Sequence, residues 1–311
     1  MVASDKSGSE STGAAKTAAH SGALYVVATP IGNLQDLSRR ALDVLGSVDL
    51  ILAEDTRHSA KLLAHYGIGT ACRSFHEHNE THQVARVVER IAAGERVALI
   101  SDAGTPLISD PGFRLVAALR EAGHAVIPIP GASAVITALS VAGLPTDRFC
   151  FEGFLPPKAS ARRRHLQALS TEQRTVVFYE SPRRVKQTLA DLLTEFGRDR
   201  RAAVARELTK IHESVLSGTL AELQRWMEEH EEQCRGEFVI VVAGAAPAQE
   251  EDDDTADVSI RDLLRLLVEE LPVKRAVAVA ARITGGKRNA LYRQAIALSG
   301  TESKDAVEGE D

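Results

Sequence analysis

The sequence predicts an α/β protein made of two α/β domains followed by a small helical domain. From Ala23 onward, short aliphatic or β-branched runs alternate with longer amphipathic stretches, the pattern of a largely parallel sheet covered by helices. The alternation restarts near Phe149 after the turn-rich segment Gly143-Leu144-Pro145-Thr146-Asp147. At 311 residues and 44% hydrophobic content, the chain can bury more than one core.

Residues 1–22 have no apolar period and are expected to be disordered, as are residues 301–311, where acids alternate with small residues. In the first domain, 23–147, the strand candidates are Leu24–Ala28, Val48–Ala53, Val97–Ser101 and Ala125–Ile129. Between them, 38–46 offers a Ser cap and a Gly stop, and 80–94 and 111–123 also end in Gly, so all three read as helices. In the second domain, 148–244, Thr175–Tyr179, Ala202–Arg206, His212–Ser217 and Glu237–Ala243 read as strands, with helices at 182–196 and 219–231. This is a smaller, mixed α/β domain. Residues 245–257 form an acidic, solvated linker. Helices near 258–271, 272–283 and 287–298 then make up the helical domain, 258–300.

The formal charge of −6 argues at first against a nucleic-acid partner. Its distribution reverses that reading. Residues 245–257 carry six acids and no base, and 301–311 carry five acids against Lys304, whereas 258–300 holds eight Lys/Arg against three acids. Basic charge is therefore concentrated towards the C-terminal end. The chain has no run of about eighteen apolar residues and its first twenty-two residues lack the apolar block of a signal peptide, so a soluble, cytoplasmic protein is expected. Cys72, Cys150 and Cys234 stand far apart without CxxC spacing, which suits neither a disulfide framework nor a zinc site. Aromatic residues make up only 4%, too few for an extended base-stacking platform.

The chemistry concentrates in loops that follow strands, where open α/β sheets collect ligands. The first strand runs into Thr29-Pro30-Ile31-Gly32-Asn33, a plain tight turn or a place of close ligand approach. No GxGxxG follows it and no GxxxxGK[ST] occurs, so dinucleotide and nucleoside-triphosphate readings lose weight. The third strand ends in a loop dense in small residues, from Ser101-Asp102-Ala103-Gly104-Thr105 to Ile108-Ser109-Asp110-Pro111-Gly112. After the fourth, Pro130-Gly131-Ala132-Ser133-Ala134 leads into an apolar helix, which Ser133 either caps or leaves to touch a ligand.

Taken together, LYVVATPIGNLQDLSRRA, AEDTRHSAKLL, SFHEHNE, ISDAGTPLISDPG, PIPGASA, FEGFLP, FYESPRR, ARELTKIHE and GEFVIVV resemble the tetrapyrrole-methylase superfamily, over residues 24–243. Within it they resemble the bacterial 16S rRNA cytidine 2′-O-methyltransferases. The resemblance implies two α/β domains with S-adenosylmethionine in the interdomain cleft, a homodimer, no metal, and a cytidine ribose of the small-subunit decoding region as acceptor. It carries cofactor contacts onto Pro30 and Gly32, onto Asp102, Gly104, Thr105 and Ile108, onto Ser133 and Ala134, and onto Tyr179 and Glu237 of the second domain. Tetrapyrrole-modifying relatives tend to have Gly-Asp-Pro where this chain has Gly104-Thr105-Pro106, which favours the RNA branch. A tetrapyrrole C-methyltransferase and a non-catalytic ribosome-assembly protein remain the alternatives.

Methyl transfer to a ribose hydroxyl is an in-line displacement, so orientation supplies much of the catalysis and a base near the weakly acidic hydroxyl helps. Asp102 is the first candidate, followed by Glu54, Glu207 and Lys210. The run Glu54-Asp55-Thr56-Arg57 also reads simply as a helix start with an internal ion pair. His76 and His78 lack a third metal ligand nearby and are expected in a solvated loop or at RNA. Candidate RNA contacts are Arg57, Lys158 and Arg162, Arg183, and Lys287 with Arg288 beside the flexible Gly285-Gly286.

Overall fold

The computed structural model describes residues 22–246 and 254–299. Its first sheet contains β1 (Ala23–Val27), β2 (Leu50–Ala53), β3 (Cys72–Ser74), β4 (Arg96–Ile100) and β5 (Ala125–Ile129) in the order β3-β2-β4-β1-β5. All four pairings are parallel, with Tyr25 opposite both Ala98 and Ile127. Parallel strands need covered faces, and the alternation of side chains supplies them. Ile51, Ala53, Ala98 and Ile100 pack against α1 (Arg39–Leu45) and α2 (Thr56–His65), while Leu50, Leu52, Val97 and Leu99 face α3 (Glu77–Ala92) and α4 (Phe113–Glu121). Ser38 caps α1 through its hydroxyl, which accepts from the Ala41 amide at 3.1 Å.

The second sheet has β6 (Phe149–Phe154), β7 (Thr175–Glu180), β8 (Arg201–Arg206), β9 (Ser214–Thr219) and β10 (Phe238–Val242), ordered β6-β7-β10-β8-β9. Only β6 and β7 pair in parallel; the rest is antiparallel, so the sheet is mixed as expected. One face buries Phe178, Val204 and Ile240 under α6 (Ala159–Leu169), α7 (Val185–Phe196) and α8 (Leu220–Glu229). The other face presents Val177, Ala203 and Val241 to α5 (Ala134–Val141). Val135, Ala138 and Leu139 of α5 join that cluster together with Ile31 from the loop after β1. A helix that follows a strand of the first sheet is thus buried on the second, and a shared core fixes the two sheets around the cleft described below.

Several elements differ from the sequence expectation. β3 is a three-residue edge strand and β6 carries a register shift between Phe151 and Gly153, so neither shows clean alternation. Helix α3 begins at Glu77 rather than near residue 80, opened by His76, whose amide donates to Asn79 Oδ1 at 2.9 Å. Helix α6, rich in arginine, hides its period behind charge.

The C-terminal unit consists of α9 (Asp254–Glu270), α10 (Val273–Thr284) and α11 (Arg288–Ser299) around Leu264, Val277, Ala280, Leu291 and Ala295. The expected linker therefore overlaps helix α9 from Asp254 onward. Gly285 closes α10 in a left-handed conformation, φ 70°. The expected disordered ends, 1–22 and 301–311, lie outside the described residues apart from Gly22.

Candidate active site

Four loops at the carboxyl edge of the first sheet are tied into one surface. Thr29 and Gly104 exchange two backbone hydrogen bonds, N–H to carbonyl, at 2.9 and 3.1 Å. The Thr29 hydroxyl also donates to the Ser101 carbonyl at 3.2 Å. The Thr105 hydroxyl donates to the Ala132 carbonyl at 3.1 Å, joining the loop after β4 to the loop after β5. Asp102 Oδ1 accepts the Asp55 amide at 3.0 Å, joining it to the loop after β2. Gly104 sits at φ 82°, and Leu107 and Ser109 hold the left-handed region without being glycine, at 73° and 70°. Such positions store strain that surrounding contacts must hold, and they recur where a loop is shaped for a ligand.

These loops form one wall of a cleft of about 390 Å³, within the usual range for small-ligand sites. The first domain contributes Ile31, Glu54, Asp102, Gly104, Thr105, Ile108, Asp110, Ser133 and Ala134; the second contributes Phe154, Tyr179, Glu237 and Val239. Ser133 stands at the N-cap of α5 but its side chain makes no capping bond, so the capping alternative is not the one adopted. Tyr179 packs edge-on against Phe151 at 4.8 Å between ring centroids and tilts against Phe154 at 5.5 Å. Burial, with Asp110 nearby, pushes the Tyr179 phenol up to about 12, so it stays a neutral donor.

The carboxylates of the cleft are electrostatically distinct. Burial, reinforced by the negative charges of Glu54 and Asp102, pushes Asp110 up to about 6. Burial and Asp102 also raise Glu54. Asp55, by contrast, lies outside: Arg57 hydrogen bonds hold it down to about 2 at the start of α2. The helix-start reading thus describes Asp55 and Arg57, while Glu54, one residue earlier, faces the cleft. Asp110 is the residue that sequence reasoning passed over, although it lies in the same loop as Asp102.

Of the positions singled out from sequence, Asp102, Glu54, Gly104, Thr105, Ile108, Ser133, Ala134, Tyr179 and Glu237 meet at this cleft. Pro30 and Gly32 do not line it; their neighbour Ile31 does. Gly32 is small for another reason: a Cβ there would collide with the Lys210 side chain and come within 2.9 Å of Thr209 Oγ1. Glu207 and Lys210 also lie off the cleft, in a second groove. Lys210 Nζ donates to Glu207 Oε1 at 2.9 Å and to Glu237 Oε2 at 3.1 Å, so this cation is already neutralised.

Arg162 requires a correction, because it is no surface cation. It is 3% exposed, donates from Nε to Asp191 Oδ2 at 2.7 Å and from Nη1 to the Pro157 carbonyl at 3.3 Å, and so pins α6 to α7. The other RNA candidates, Arg57, Lys158, Arg183, Lys287 and Arg288, are exposed, with Arg57 paired to Asp55 at 3.0 Å. His76 lies at the start of α3, with Nε2 3.2 Å from Asn79 Nδ2. Among the described residues no helix is long and apolar enough to cross a membrane.

The model of tetrapyrrole (corrin/porphyrin) methylases matches residues 23–224, and that of the RsmI C-terminal HTH domain matches residues 252–299. The chain is 54% identical over 280 residues to the ribosomal RNA small subunit methyltransferase I of Pseudomonas aeruginosa, covering 90% of this chain and 98% of that one. It is 49% identical over 279 residues to the protein of the same name from Escherichia coli O157:H7, covering 90% and 96%. Among solved structures, uroporphyrin-III-C-methyltransferase from Thermus thermophilus shares the fold at TM-score 0.52 and 22% identity, over 71% of this chain and 94% of that one. Diphthine synthase does so at TM-score 0.55 and 14% identity, over 72% and 90%. A methylase fold with its carboxyl-edge cleft intact, joined to a C-terminal domain matched independently, places the chain in the tetrapyrrole methylase family, among the ribosomal RNA small subunit methyltransferases I.

Proposed function

We propose that this protein transfers the methyl group of S-adenosylmethionine to the 2′-oxygen of a cytidine in the decoding region of 16S rRNA, acting as a homodimer on the small ribosomal subunit. The observation that carries this reading is the single cleft that joins strained loops of the first domain to Tyr179 and Glu237 of the second, in a chain about 50% identical to rRNA methyltransferases over nine-tenths of its length.

The residues present fit the cofactor. Ile31, Ile108, Phe154 and Val239 offer apolar walls for an adenine, while the carboxylates of Glu54 and Asp102 suit a sulfonium and an ammonium. Gly104 lets the backbone approach: a Cβ there would lie 3.3 Å from Ile31 Cγ2. When bound, S-adenosylmethionine supplies an electrophilic methyl. The protein's own part is to orient the acceptor, exclude water and take up a proton. Asp110 suits the last role best, since an acceptor titrating at about 6 is ionised at neutral pH yet more basic than an ordinary aspartate. Asp102, the first candidate from sequence, already spends Oδ1 on the Asp55 amide.

The exposed Lys287 and Arg288 at the start of α11 would contact phosphates. Radiolabelled S-adenosylmethionine mixed with the protein and small subunits lacking the modification should label 16S rRNA. Cofactor binding without any RNA label, and label in a tetrapyrrole instead, would overturn the proposal.

A further inference from the structure

Beside the cleft lies a second groove of about 670 Å³, lined by Asn33, Gln35 and His65 of the first domain and by Thr209, Ile211 and His212 of the second. It adjoins the cleft at two points. Ile31, which lines the cleft, is followed directly by Gly32 and Asn33, and Lys210 bonds Glu237, which lines the cleft as well. The tip of the second-domain loop is held rigidly. Glu207 and Thr209 occupy the left-handed region at φ 49° and 67°, positions non-glycine residues adopt only under constraint. The constraint is visible: the Lys210 amide donates to the Glu207 carbonyl at 2.9 Å, the Thr209 amide to Glu213 Oε2 at 2.6 Å, and the Asn33 amide to Thr209 Oγ1 at 3.1 Å. The outcome is an isoleucine, Ile211, 97% exposed on a loop that cannot fold it away.

The chemistry of the groove selects its occupant. Among the described residues that line it, the one lysine is neutralised by two carboxylates and there is no arginine, so a phosphate would find no unpaired lysine or arginine there. What remains includes two side-chain amides, two imidazole rings, the Thr209 side chain and two aliphatic side chains, Leu34 and the protruding Ile211. Amides pair with base edges, imidazoles stack on bases, and isoleucine is among the wedges that proteins insert between base steps. We propose that this groove receives the unstacked bases flanking the acceptor nucleotide, with Ile211 as the wedge that keeps them apart so that the ribose reaches the cleft. This inference rests on the proposed RNA methylation and names a subsite for it.

The test compares wild type with Ile211→Ala and Ile211→Leu in methylation of small subunits. It is read with S-adenosylmethionine affinity by calorimetry, mass by light scattering, and chemical probing of the bases around the acceptor. Ile211→Ala should lose roughly tenfold in kcat/KM for subunits, because truncating the wedge lets the flanking bases restack. Cofactor affinity and mass should stay as in wild type, the flanking bases should no longer change reactivity on binding, and Ile211→Leu should restore most of the rate. Unchanged kcat/KM in Ile211→Ala would overturn the inference. So would a change in mass, which would make this face an interface between copies of the chain. Failure of the wild type itself to label rRNA would strike the underlying reading, and the subsite with it.

Discussion

Replacing Gly104 by aspartate should weaken cofactor binding while leaving the protein folded. The backbone there has φ 82°, which costs a residue with a Cβ roughly 1–2 kcal/mol. The Cβ itself would lie 3.3 Å from Ile31 Cγ2 and 3.7 Å from the Ala132 carbonyl oxygen, close contacts that small shifts absorb. Gly104→Ala therefore measures strain alone: at about 2–4 °C per kcal/mol for a unit of this size, it should melt roughly 2–8 °C below wild type. Its cofactor affinity should hold to within a few-fold. Aspartate adds a negative charge to a cleft already lined by Glu54, Asp102 and Asp110, and its side chain takes up space beside Ile31, which lines the same cleft. Overfilling a packed wall costs about 1–3 kcal/mol, so affinity should fall on the order of ten- to a hundredfold. Calorimetric titration with S-adenosylmethionine, paired with scanning calorimetry of each variant, separates the two effects. Wild-type affinity in a folded Gly104→Asp protein would refute the placement of the ligand against this loop.

The pH dependence should follow Asp110: kcat/KM should rise as pH increases through about 6, and Asp110→Asn should lower the rate and flatten that limb. Because burial lifts Asp110 in the folded protein above its ordinary value of 3.8, the stability Asp110 contributes is full below that ordinary value and lost as pH rises through about 6. Asp110→Asn should therefore be no less stable than wild type in denaturant titrations at pH 8, and a clear loss would contradict this sign. Arg162→Ala leaves Asp191, 1% exposed, with only Arg163 Nε at 2.8 Å and Gln187 Nε2 at 3.4 Å. Breaking a buried pair costs about 3 kcal/mol at the lower end, so melting should drop by roughly 6–12 °C, with RNA affinity per folded molecule unchanged. Arg288→Ala should weaken binding to small subunits and reduce the salt slope by about one while leaving cofactor affinity intact; an unchanged slope in filter binding would remove it from the interface.

The first sheet could be read from sequence because its strands are short apolar runs separated by helices with Ser and Gly at their ends, as around Ser38 and Gly46. Those signals are local. β3 and β6 escaped because a three-residue edge strand and a strand with a register shift lack alternation. At the site, the loops after β4 and β5 announced themselves through density of glycine, proline and small polar residues. Which side chains they turn inward depends on contacts distant in sequence. Gly32 signalled a close approach, but the partner is the second-domain loop at Thr209 and Lys210, across about 180 positions. Arg162 looked like its exposed neighbours Arg163 and Arg164 in an arginine run; only the helical period, which buries Arg162 against Asp191 while Arg163 reaches the same carboxylate from the surface, tells them apart. Asp110 lay in a loop already singled out, and its distinction is burial beside two other carboxylates, which a linear sequence does not display.

Mapping the modified linkage tests methyl transfer to one ribose of 16S rRNA most directly. Small subunits from a strain lacking this gene, incubated with the protein and radiolabelled S-adenosylmethionine, should yield a single labelled cytidine whose 3′ linkage resists alkali, as only a 2′-O-methyl group allows. Label on a base, label spread over many nucleotides, or none in RNA would contradict the account.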